Sequence, residues 1–118
     1  MQSVRDFDAI TSHLAVWHAY DPAVRAELCS TSLTTTGGIY LIDPIPLQQR
    51  ALDELIGSSG AAGIIVPNSN HQRAAVPLAQ HLSVPLFAPL EFFPYFPLFL
   101  SQTISLPPSS LCVFNLIV

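Results

Sequence analysis

A chain of 118 residues can bury one hydrophobic core but has no length for a second domain of ordinary size. Half of its residues are hydrophobic and only 10% are charged, against roughly 25% in an average soluble domain, so the chain is unusually apolar. Its net charge of -4 and the scatter of Arg5, Arg25, Arg50 and Arg73 exclude a nucleic-acid footprint, which needs clustered cations to neutralise phosphates.

Residues 13–20 (HLAVWHAY) alternate apolar and polar side chains as a half-buried strand does, and residues 33–42 repeat the alternation around Gly37-Gly38. A β-hairpin is expected, its glycines supplying positive φ at the turn. Asp43-Pro44-Ile45-Pro46 ends the second strand, because proline cannot donate to a central ladder. Residues 47–56 (LQQRALDELI) space Leu47, Ala51, Leu52, Leu55 and Ile56 at helical intervals, and Gly57 stops that helix. Residues 61–66 (AAGIIV) form a continuous apolar run, expected to be a strand buried on both faces, and Pro67 closes it. A second helix is expected from the stripe Ala74, Ala75, Leu78, Ala79 and Leu82, capped by Asn68 or Asn70. Pro77 lies inside it and is expected to kink it or to confine its regular part to the turn before. Residues 84–88 (VPLFA) give another strand. The order strand, strand, helix, strand, helix, strand describes an α/β layered sheet with right-handed crossovers in its second half.

The composition breaks at Pro89. Beyond it Glu91 is the only charged residue, and Pro94, Pro97 and Pro107-Pro108 interrupt the apolar runs. A domain over 1–88 followed by an irregular apolar tail over 89–118 is expected. Residues 98–118 have the length of a membrane span, but their prolines and hydroxyl side chains argue against a spanning helix. The break is also what a shifted reading frame or a displaced gene end produces. Residues 1–9 carry Arg5, Asp6 and Asp8 and no apolar run, so a cytoplasmic location is the expectation. Cys29 and Cys112 lie far apart with no metal-ligand spacing, and both are expected to be reduced thiols.

Candidate chemistry concentrates in Pro67-Asn68-Ser69-Asn70-His71-Gln72-Arg73, between the end of a buried strand and the start of a helix. Ligands of α/β sheets bind at such junctions, where unpaired backbone N–H groups and the helix dipole favour anions. Asn68, Asn70, His71 and Arg73 are therefore candidate ligand-binding residues; the plainer reading is an asparagine cap beside solvated His71 and Arg73. Asp43 joins them because it ends a strand on the same edge, although Asp before Pro is also ordinary turn chemistry. His13 and His18 are expected on opposite faces of one strand, and His81 near a helix C-terminus, where its partial charge suits the dipole. Ser30, Ser32 and Thr34 to Thr36 form no nucleophile elbow, and Gly37-Gly38 is no phosphate loop.

The segments LAVWHAYDPAVRAELCSTSLTTTGGIYLIDPIPL, AAGIIVPNSNHQRAA and SVPLFAP together resemble the opening half of metallo-β-lactamase-fold hydrolases. The resemblance implies a partial αββα sandwich, with Asp43 in the aspartate-bearing turn after the hairpin. It also places the metal-binding loop THxHxDH on residues 67–73. Pro67 falls where the threonine stands, Asn68 and Asn70 where the first two histidines stand, and Gln72 and Arg73 where the aspartate and last histidine stand. His71 is one position out of register. A neutral amide is a weak metal ligand and a guanidinium is none, so no cofactor is expected, and zinc or iron would require a different ligand set. Past Ala88 nothing matches the family's later histidine and aspartate ligands. The resemblance thus implies a hydrolase-like domain without its usual metal, with a small anionic or acyl ligand as its expected partner. Open sheet edges make a homo-oligomer a further expectation. The competing readings are a non-catalytic binding or scaffold remnant, and a membrane- or partner-associated protein held by its apolar tail.

Overall fold

The computed structural model describes residues 3–67 and 73–89, and the strands at 100–105 and 111–116. In chain order the elements are β1 (Asp8–Ala9), β2 (Leu14–Asp21), β3 (Ala26–Thr35), β4 (Gly38–Ile42), α1 (Gln49–Ile56), β5 (Ala61–Ile65), α2 (Ala75–Leu82), β6 (Leu86–Pro89), β7 (Leu100–Ser105) and β8 (Leu111–Leu116). Among the described residues the strands form one sheet in the order β1-β2-β3-β4-β5-β6-β8-β7. It is antiparallel from β1 to β4, parallel through β4, β5 and β6, and antiparallel again through β8 and β7.

The α/β layering follows from the two periodicities expected. Along β2, Ala15 and Trp17 point into the core while Val16, His18 and Tyr20 take the other face. Trp17, Ile39, Leu41, Ile64 and Leu86 from the sheet meet Ala51 and Leu52 of α1 and Ala75, Leu78 and Ala79 of α2 in one buried cluster. Each fully buried leucine or isoleucine there contributes about 1.5–3 kcal/mol. Both helices therefore cover the same face, called here the helix face. α1 ends at Gly57, whose φ of 54° and ψ of -144° form a backbone conformation that favours glycine.

Several expectations change. β3 begins at Ala26 rather than near Leu33, and it pairs with the whole of β2 from Leu14↔Leu33 to Asp21↔Ala26. The missed turn is a short polar one: the Asp21 carboxylate accepts the Ala23 N–H at 2.9 Å, and Arg25 takes a φ of 53°. At the β3–β4 turn Gly38 has φ 123°, and a Cβ there would lie 3.0 Å from the Gly60 carbonyl oxygen. A glycine is required by both facts.

β5 is not buried on both faces. Ile64 and Val66 are fully buried on the helix face, whereas Ile65 is half-buried on the opposite one. Pro77 neither kinks α2 nor ends it, because it occupies the first turn, where its missing N–H would have had no intrahelical partner. The residue at the N-cap of α2 is Ala74, with no side-chain cap, so the asparagine-cap reading fails for this helix. The stretch beyond Pro89, expected to be irregular, contributes β7 and β8 to the same sheet. Among the described residues no helix is long and apolar enough to cross a membrane.

Candidate functional site

The corner after β4 is built from a tryptophan, a serine and an aspartate. The Trp17 indole N–H donates to the Ile45 carbonyl at 2.9 Å, in full burial. Ser30, also buried, uses its hydroxyl twice: it donates to the Asp43 carbonyl at 2.8 Å and accepts the Ile45 N–H at 2.7 Å. The Asp43 N–H in turn donates to the Ile65 carbonyl at 3.0 Å, tying the corner to β5. Asp43-Pro44-Ile45 thus leaves the sheet with its backbone polar groups satisfied by a neighbouring side chain and strand, as burial demands.

Arg73 closes this corner from the other side. Its Nη1 donates to the Cys29 carbonyl at 2.8 Å and to the Asp43 carbonyl at 2.7 Å. The following Ala74 N–H donates to the Pro44 carbonyl at 3.1 Å, so the start of α2 hangs on the β4–α1 junction. A permanent cation is thereby fixed at the C-terminal ends of β4 and β5. Asp43 and Arg73 both sit at positive φ, 51° and 43°, which costs a non-glycine residue roughly 1–2 kcal/mol. Two strained residues joined by a charge-assisted bond form the kind of over-determined backbone found at ligand sites.

A cavity of about 470 Å³ opens beside Arg73, between α1 and α2. Leu47, Leu52, Pro77 and Leu78 line it with apolar surface, while Gln49, Arg73 and His81 bring polar groups to it. That volume and mixture suit a small ligand with an apolar body.

Of the residues singled out by sequence, Asp43 and Arg73 are in direct contact. Asn68, Asn70 and His71 lie outside the described residues. Sequence reasoning missed three participants. Ser30 was weighed only as a nucleophile, and its spacing carries no sign of a serine that braces a corner. Gln49 went unremarked, and His81 was assigned only to the helix dipole. Elsewhere, His18 lies 3.8 Å from the Asp8 carboxylate, and Cys29, expected to be a reduced thiol, is a free thiol and exposed. His13 precedes β2, so it shares no strand with His18; its Nδ1 lies 2.9 Å from the Ser12 hydroxyl.

No curated protein matches the chain. The family profile described as the Metallo-beta-lactamase superfamily matches residues 8–106. The match runs beyond Pro89 through β7, so the family pattern continues past the composition break that was expected to end it. On a match covering most of its length, the chain belongs to the metallo-beta-lactamase superfamily.

Proposed function

We propose that this member of the superfamily works by binding a small anionic or acyl ligand at a site centred on Arg73, without the metal ion that the fold family implies. The residues at the motif positions do not fit a metal. Asn68, Asn70 and Gln72 offer neutral amides where imidazole or carboxylate is wanted, and Arg73 cannot ligate. The observation that carries the reading is the pair of bonds from Arg73 to the Cys29 and Asp43 carbonyls at 2.8 and 2.7 Å. They hold a guanidinium at the strand ends, and a dication about 6 Å away would be repelled by roughly 5 kcal/mol at an effective dielectric of 20. An anion at the same place is attracted instead. The apolar walls contributed by Leu47, Leu52 and Leu78 favour an anion that carries an acyl chain. The motif positions offer the family's metal route no imidazole or carboxylate ligands, whereas Arg73 and the cavity beside it offer binding a cation and apolar walls.

The test is elemental analysis of the purified chain, before and after incubation with zinc and desalting, together with calorimetric titration of octanoate against octanamide. The reading expects metal far below one ion per chain. It also expects octanoate to bind at least about tenfold more tightly than the uncharged amide, a difference of about 1.4 kcal/mol. Stoichiometric zinc, iron or manganese that is lost on Asp43→Asn or His71→Ala would overturn it and restore metal-assisted hydrolysis. Equal affinity for acid and amide would overturn the anion site.

A further inference from the structure

The cavity between α1 and α2 follows one stripe of α2. Starting from the N-cap residue, Ala74, Pro77, Leu78 and His81 line it at positions i, i+3, i+4 and i+7, so it runs the length of that helix along a single side. Seven residues of α-helix rise about 10 Å, which sets Arg73, just before Ala74, and His81 at opposite ends of the cavity. Pro77 and Leu78 line the space between them, with Leu52 of α1. Among the described residues that line the cavity, none is an acid. It is cationic at one end, apolar along its middle and polar again at the other.

We infer that the cavity takes a medium-chain acyl ligand with a hydroxyl at its far end, an ω-hydroxy carboxylate, and that His81 selects for the hydroxyl. The inference rests on the anion site proposed at Arg73 and adds what the other end of the ligand carries. An extended chain of about eight carbons, with bonds of about 1.5 Å in zigzag, matches the rise of the helix between the two ends.

The polarity of α2 assigns the two ends. Its N-terminus is the positive pole of the helix dipole and adds to the Arg73 guanidinium, so the carboxylate belongs there. His81 stands in the last turn, beside the negative pole, where a second carboxylate is disfavoured and a neutral group is not. An imidazole donates from at least one ring nitrogen in either charge state, and a hydroxyl both accepts and donates, so the two pair whichever tautomer is present. A shorter chain would leave its hydroxyl beside Pro77 and Leu78, where it loses water without gaining a partner.

The test is calorimetric titration of ω-hydroxyoctanoate, octanoate and octanedioate against the full chain, and against His81→Leu and His81→Gln, each checked by circular dichroism. His81 is exposed, so both variants are expected to fold. The expected result is that ω-hydroxyoctanoate binds at least about threefold more tightly than octanoate, near the lower reach of one net hydrogen bond, and more tightly than the diacid. His81→Leu is expected to abolish the preference while leaving octanoate affinity unchanged, and His81→Gln, which keeps a donor and an acceptor, to retain it. Equal affinity for the hydroxy acid and octanoate, a preference that survives His81→Leu, or tighter binding of the diacid would overturn the inference and leave the anion site standing. Octanoate that binds no better than octanamide would overturn both.

Discussion

Ile64 and Ile65 are adjacent on β5 and chemically identical, yet they live in different surroundings. Ile64 is fully buried against the helices, among Leu41, Leu86 and the inner residues of α2, whereas Ile65 stands half-buried beside Ile42 and Phe87 on the other side. A run such as AAGIIV shows that a strand is apolar on both sides, but not that both sides are covered. Coverage on the second side depends on what packs there, which no local pattern records. The helix face is a completed core; the opposite face is apolar surface that this chain leaves partly open.

That comparison is broken most sharply by placing one charge on each side. Ile64→Asp buries a carboxylate without a partner, and it is expected to remove more than about 4 kcal/mol, leaving the chain unfolded by circular dichroism at 25 °C. Ile65→Asp can keep its carboxylate near water and is expected to leave a cooperative melting transition at lower temperature. If Ile65→Asp unfolded the chain as completely as Ile64→Asp, both faces of β5 would be core, against the partial exposure of Ile65.

The elements most legible in the sequence were those with one dominant period. α1 was marked by Leu47, Ala51, Leu52 and Ile56 with Gly57 behind them, and β5 by its apolar run between Gly60 and Pro67. The first half of β3 was not legible. Ala26 to Ser32 carries Glu27 and Cys29 on the outer side and Ser30 and Ser32 on the inner one, so its buried positions are polar and the alternation of hydrophobicity vanishes. Ser30 serves the chain turning out of β4, which needs hydrogen-bond partners, a demand made by a segment thirteen residues away and invisible to any window over β3.

Ser30→Ala measures how much that demand is worth. It removes one of the two donors to the Asp43 carbonyl and leaves the buried Ile45 N–H without an acceptor, which is expected to lower stability in urea by about 1–3 kcal/mol. The same change should loosen the carbonyl on which Arg73 rests, so octanoate affinity is expected to fall along with stability. A stable Ser30→Ala chain with unaltered affinity would show that the corner holds its shape without the hydroxyl. The candidate site was legible to the same partial degree. Asp43 and Arg73 were singled out because they flank strand ends, but their direct contact is made through a main-chain carbonyl, and backbone acceptors leave no trace in residue identity.

The smallest expected effect probes the open side from within. Gly63 lies on the face opposite the helices, and a Cβ there would come within 2.7 Å of Phe87 Cε2 and 3.2 Å of Tyr40 Cε1. Those rings meet edge to face with centroids 6.1 Å apart, and both are partly exposed. Because ring edges on a partly exposed surface can swing aside, Gly63→Ala is expected to cost below about 1 kcal/mol, under the usual range for overpacking. Urea unfolding measures the loss. A loss above about 3 kcal/mol would mean that the rings are clamped in place, and that the two faces of the sheet are more alike than their exposure suggests.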